Sequence, residues 1–123
     1  MVLVDTAVWI RFLANRAPYT AELDRLLGRD EVIGHELVYG ELLVGDVGGR
    51  ATLLDAYAQM RQAPVIRHTE VVELVRARRL AGRGIGWSDA HLLASALVGG
   101  VSLWTVDIRL QASAVALGVA HRP

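Results

Sequence analysis

The sequence predicts an α/β fold: a three-layer α/β/α sandwich around a central, mostly parallel sheet of four to five strands. Two observations carry this prediction. Short, largely apolar runs such as residues 2–4 and 101–106 alternate with longer segments of helical periodicity, and strands that are apolar on both faces belong to parallel sheets covered on both sides. The chain has 123 residues, 53% of them hydrophobic, which favours one domain over 1–123 with a proper core rather than a disordered chain.

Residues 2–4 read as the first strand, and 6–14 as a helix with Val8, Trp9, Phe12 and Leu13 on one side. The NRAP segment at 15–18 breaks the chain. A helix over 19–27 turns Leu23, Leu26 and Leu27 inward and stops at Gly28. EVIG at 31–34 predicts a second strand, 35–45 a helix ending at Gly45, and DVGG at 46–49 a turn. A helix over 50–62, with Leu53, Leu54 and Tyr57 inward, leads to a third strand at 64–66. Thr69 is placed to cap a helix over 70–81. The glycine-rich stretch 82–88 precedes a helix at 89–98 capped by Ser88. A strand at 101–106, a helix at 108–117 and a final strand at 119–121 complete the order.

Composition excludes several chemistries. There is no cysteine, so disulfides, thiolate metal sites and cysteine nucleophiles are absent together. Thirteen basic residues balance thirteen acidic ones, so bulk charge names no partner. All the bases are arginine, and the missing lysine removes lysine-dependent mechanisms. No apolar run approaches the roughly 18 residues of a membrane span, and nothing at the N-terminus reads as a signal peptide. The expectation is a cytoplasmic protein that does not engage the membrane.

Aspartates end two apolar runs: Asp5 after VLV, and Asp107 after SLWTV. Either one alone is explained by helix capping. Glu41 is different, because the face 37, 38, 41, 42, 45 reads Leu37, Val38, Glu41, Leu42, Gly45 and places a carboxylate inside an apolar stripe. Asp89 repeats the anomaly with Leu92, Leu93, Ala96 and Leu97, although a place in the first turn partly accounts for it. Open parallel sheets bind ligands at the carboxyl ends of their strands, so if the strands before Asp5 and Asp107 are neighbours, both carboxylates open into one crevice. Two unit charges 4 Å apart repel by about 4 kcal/mol at an effective dielectric near 20, so four clustered acids would take up protons or bind a cation. Ligands that are all oxygen favour Mg²⁺ or Mn²⁺.

VLVDTAVWI (2–10), GELLVG (40–45), SDAHLLASAL (88–97) and TVD (105–107) resemble the four acidic motifs of PIN-domain ribonucleases, and most closely those of VapC toxins of toxin–antitoxin pairs. The likeness spans nearly the whole chain. It implies a PIN-like fold, metal-binding and catalytic acids at Asp5, Glu41, Asp89 and Asp107, and a supporting hydroxyl at Thr105. The chain departs from many relatives at Ala7, where they carry serine, and at Arg109, where they carry another acid. The resemblance further implies a Mg²⁺- or Mn²⁺-dependent endoribonuclease that hydrolyses RNA phosphodiester bonds to a 5′-phosphate and a 3′-hydroxyl. Arg11, Arg83 and Arg109 are the candidates to contact the RNA backbone. It implies a small antitoxin partner, with Trp9, Phe12, Leu13, Tyr39, Leu42 and Leu43 as the surface that partner would cover, and a homodimer.

Other readings fail on particular residues. A haloacid-dehalogenase-type phosphatase needs a second aspartate where Ala7 stands, and, like receiver domains, it needs a lysine. The only glycine fingerprint, at 82–86, follows a helix rather than a strand, and there is no phosphate-binding loop. His35, His68, His91 and His121 lack metal-ligand spacing and read as polar or capping residues. The alternative that survives is a catalytically inactive PIN-like module working through an antitoxin. Cleavage that depends on a divalent metal separates the two.

Overall fold

The computed structural model describes all of residues 1–123. Strand β1 (Val2–Val4) is buried on both faces because it occupies the centre of a parallel sheet. On one side it pairs with β2 (Val32–Ile33), Val2 opposite Val32 and Leu3 opposite Ile33. On the other it pairs with β3 (Ser102–Trp104), Leu3 opposite Leu103 and Val4 opposite Trp104. Asp5 and the segment after Trp104 therefore leave the sheet side by side, which meets the condition for a shared crevice.

Seven helices pack around this sheet: α1 (Thr6–Leu13), α2 (Tyr19–Gly28), α3 (Glu36–Val44), α4 (Ala51–Gln59), α5 (His68–Ala77), α6 (Trp87–Gly99) and α7 (Ile108–Ala116). One cluster of 25 buried apolar residues joins them to the strands, from Leu3 and Leu103 in the sheet to Trp9, Leu23, Leu42 and Leu110 on the helices. A smaller cluster of Ile66, Val71, Ala90 and Ala94 fills the seam of α5 and α6. Gly100 takes a left-handed conformation, φ 66°, to end α6 and turn the chain into β3.

Three expected features differ. The strand expected at 64–66 is instead a single bridge two residues earlier, Gln62 beside Gly34, with Gly34 donating to the Arg61 carbonyl and Ala63 donating to the Gly34 carbonyl. Pro64 has no N–H to extend the ladder, and Ile66 is drawn into the α5–α6 seam. The final strand at 119–121 is likewise one bridge, Ala120 beside Leu103. The sheet therefore has three strands with a single-residue pairing on each edge. Finally, Thr69 lies inside α5, which starts a residue earlier with Arg67 at its cap position and no side-chain cap.

Candidate active site

Asp5 follows the central strand, and its backbone N–H donates to the Trp104 carbonyl at 2.9 Å. Its carboxylate is held from two directions. Oδ1 accepts the Thr6 N–H at 2.8 Å, and Oδ2 accepts the Thr105 hydroxyl at 2.8 Å. That hydroxyl also accepts the Asp107 N–H at 3.1 Å, so one side chain ties together the ends of β1 and β3. Asp5 is half-buried. Burial pushes its carboxyl above the ordinary value, the bonds from Thr105 and Thr6 pull it back, and the negative charges of Asp89 and Glu41 push it up again.

Glu41 approaches from α3, where its Oε1 accepts the Thr6 hydroxyl at 3.1 Å. It does not sit in an apolar stripe as the sequence predicts. Val38 and Leu42 are buried, Leu37 is half-buried, and Glu41 and Gly45 are exposed, because α3 is apolar nearly all round and the helical wheel does not single out one face. No arginine pairs with Glu41; Arg50 donates instead to the Leu42 carbonyl at 3.0 Å. Asp89 stands in the first turn of α6, which begins at Trp87 with Gly86 as its cap rather than after Ser88. Its Oδ2 accepts the Gly86 N–H at 2.9 Å, half of a capping box in which glycine has no side chain to return the bond.

Asp107 is the outlying member. It is exposed, and its Oδ1 accepts the Arg109 and Leu110 N–H groups at 2.8 and 3.2 Å, capping α7. The structure thus brings Asp5, Glu41 and Asp89 into one electrostatic group and joins Asp107 to it through Thr105. No three acidic or histidine side chains converge into a finished metal shell. The donor set still suits a hard divalent ion, since every contributor is an oxygen and the half-buried Asp5 carboxyl sits among like charges that a cation would offset. Thr6 is the member that the sequence reading missed. Its signal was its place directly after Asp5.

The arginines separate by what they touch. Arg109 lies across the loop before α6, where a Cβ on Gly84 (φ 78°) would fall 2.5 Å from its Cδ, so that loop glycine makes room for the guanidinium. Arg83 donates its Nε to the Arg79 carbonyl at 2.9 Å, closing the turn after α5. Arg11 places its guanidinium 5.3 Å from the centre of the Tyr19 ring. Of the surface expected to meet a partner, Trp9 and Leu42 are core residues, at 2% and 0% exposure; Trp9 packs edge-on against Phe12 and Tyr57. Leu13 and Leu43 are exposed, and so are Val44 and Val47, which the sequence did not single out.

His35 is fully buried at the cap of α3. Its Nδ1 accepts the Leu37 N–H at 3.0 Å, leaving Nε2 to donate to the Ser95 hydroxyl at 2.9 Å, and burial pulls its pKa down. It is a neutral structural residue, as its reading as a capping histidine has it.

Residues 2–115 match the PIN domain family. Ribonuclease VapC32, in two strains of Mycobacterium tuberculosis, is 52% identical over 121 residues, which cover 98% of this chain and 95% of the relative. The crystal structure of FitAcB from Neisseria gonorrhoeae superposes with a TM-score of 0.70 over 98% of this chain and 95% of that one. At 22% identity that likeness speaks for the fold alone.

Proposed function

We propose, from the premise that this chain belongs to the PIN-domain family, that it is a divalent-metal-dependent endoribonuclease and the toxin of a toxin–antitoxin pair. The observation that carries the reading is the carboxylate of Asp5, fixed by Thr105 and Thr6 at the end of the central strand with Glu41 and Asp89 facing it. The ribonuclease named in a relative 52% identical over nearly the full length of both chains supports the substrate class.

Asp5, Glu41 and Asp89 would hold Mg²⁺ or Mn²⁺, with Asp107 joining them at the rim. Bound there, the ion would lower the pKa of a water and neutralise charge on the phosphodiester oxygens. The chain's own residues do the arranging. Thr105 fixes the plane of the Asp5 carboxylate and spaces it from Asp107, and Thr6 draws Glu41 toward Asp5. Arg109, which makes no ion pair and lies against the Gly84 loop before α6, offers planar N–H donors for a phosphate. The test is cleavage of an RNA panel with Mn²⁺ and with EDTA. Metal-dependent cuts that Asp5→Asn abolishes support the reading. RNA left intact by the wild type under both conditions would leave only the inactive binding module.

Two surfaces support the assembly. A groove of about 560 Å³ runs beside Glu41, lined by Leu37, Gly40, Val44 and Gly45; Val44 is 87% exposed, and Val47, just after it in sequence, is 99% exposed. Apolar side chains so displayed around a carboxylate suit a partner segment carrying apolar residues and an arginine, as an antitoxin tail would. A second groove of about 410 Å³, lined by Ile66, Leu74, Leu97 and Val98, suits a second copy of the chain. Sedimentation at micromolar concentration checks the dimer, and a lone 13.4 kDa species would refute it.

A further inference from the structure

A separate cleft of about 260 Å³ adjoins the acidic crevice on the other side of Thr105. Three of its lining residues are aromatic: Tyr19, the buried Trp104 and His121. The Tyr19 and Trp104 rings stack with centroids 6.2 Å apart and planes 30° apart, and His121 tilts against Trp104 at 5.5 Å. Glu22 holds His121 Nε2 at 3.2 Å with one oxygen and takes the Arg25 Nε at 2.6 Å with the other. Gln111 also lines the cleft, and its side-chain amide makes no hydrogen bond within the chain, so its donor and its acceptor are both open to a ligand. Arg11, braced on Tyr19, carries a guanidinium without an ion pair.

We infer that this cleft is a nucleobase subsite, which seats one unpaired base of the RNA next to the phosphodiester cut at Asp5. The inference rests on the ribonuclease reading and deepens it. Three observations select a base over other ligands. The volume lies below the roughly 300–1,000 Å³ of pockets for drug-sized molecules and has room for a single heterocycle. Tyr19 and His121, both half-buried, offer accessible aromatic surface on which an unstacked base docks. The Gln111 amide matches a base edge. Proximity to the cut follows from Thr105, which lines the cleft and donates to Asp5 at 2.8 Å. Stacked or paired bases do not reach such a cleft, so the preferred substrate is a loop or single strand.

The test separates base binding from cleavage. In EDTA, 5′-nucleoside monophosphates and ribose 5-phosphate are titrated against the protein and followed by amide chemical shifts. At least one nucleotide is expected to bind about tenfold tighter than the baseless sugar phosphate, in line with what base–aromatic stacking contributes. Tyr19→Ala removes that advantage and Tyr19→Phe keeps it. Equal affinity for nucleotide and sugar phosphate overturns the proposal, as does an advantage that survives Tyr19→Ala. With Mn²⁺, sequenced ends of a cleaved random RNA pool should show a base bias at one position flanking the cut, flattened in Gln111→Ala while cutting continues. Cutting whose bias is the same in wild type, Gln111→Ala and Tyr19→Ala sinks the subsite and leaves the ribonuclease intact. Nucleotides that bind through Tyr19 while no RNA is cut sink the ribonuclease and leave the base site standing.

Discussion

Asp5 and Asp107 occupy equivalent places in the sequence, each ending an apolar strand and each opening a helix, yet the fold gives them different work. Asp5 is half-buried, receives a hydroxyl from a neighbouring strand end, and feels Glu41 and Asp89 through space. Asp107 is exposed, and the oxygen it commits goes to two amides of its own helix. The difference comes from position in the sheet. β1 is central and flanked on both sides, while beyond β3 only a single bridge at Ala120 continues the ladder. The same residue after the same kind of strand becomes an electrostatic centre in one place and mainly a cap in the other.

The largest expected effect lies in cleavage. Asp5→Asn should reduce metal-dependent RNA cleavage by orders of magnitude, and Asp107→Asn by clearly less, since asparagine still caps α7. Single-turnover rates for both variants measure the contrast, and equal losses would erase it. Asp89→Asn comes next. Removing one of the like charges should leave the metal-free protein at least as stable as wild type, by about 1 kcal/mol, and remove most of the stabilisation that Mn²⁺ gives. Melting curves in EDTA and in Mn²⁺ read both. A variant that melts several degrees lower in EDTA and still cuts RNA would show that Asp89 is only a helix-start residue.

Thr105→Val tests the tie between the two aspartates. Losing the hydroxyl bond should raise the Asp5 carboxyl further, so the acid limb of the pH–rate profile moves to higher pH, while Thr105→Ser restores it. An unmoved limb would mean that Thr105 is only packing. The stability of the metal-free protein carries a smaller signal. Because the folded carboxyl of Asp5 lies above its ordinary value of 3.8, folding favours the protonated form, and stability should fall as pH rises from about 3.8 through the folded pKa. The difference between wild type and Asp5→Asn isolates that slope; parallel melting profiles across this range would contradict it. Asp107→Ala should lower stability by only about 1 kcal/mol through loss of the cap, which urea unfolding measures.

Much of this arrangement can be read from the residues. Apolar runs and 3.6-residue periodicity mark all three strands and all seven helices, with boundaries shifted by a few residues. Where the reading goes astray, a tertiary contact overrides the local pattern. Residues 64–66 look like a strand, but Pro64 cannot pair and Ile66 is claimed by Val71 and Ala94 across a helix seam. The helical wheel assigns Glu41 to a stripe it does not occupy, since burial of α3 is decided by its neighbours and not by its own amphipathicity. The Thr6–Glu41 bond and the Tyr19–Trp104 cleft join residues 35 and 85 positions apart, and no periodicity reports such a meeting. The spacing of the acids pointed to a group; their hydrogen bonds and unequal burial exist only in three dimensions.

The pairing of β1 with β3 also sets an order in time. Val2 and Ser102 are register partners, so β1 leaves the ribosome long before the strand that closes its second edge. Such distant pairings form slowly, because the long loop between them must close first. Local helices and the β1–β2 pair can form during synthesis, but the Thr105 hydroxyl cannot reach Asp5 until residue 105 has been made and delivered to the sheet. A chain interrupted before β3 carries Asp5, Glu41 and Asp89 without the side chain that fixes them.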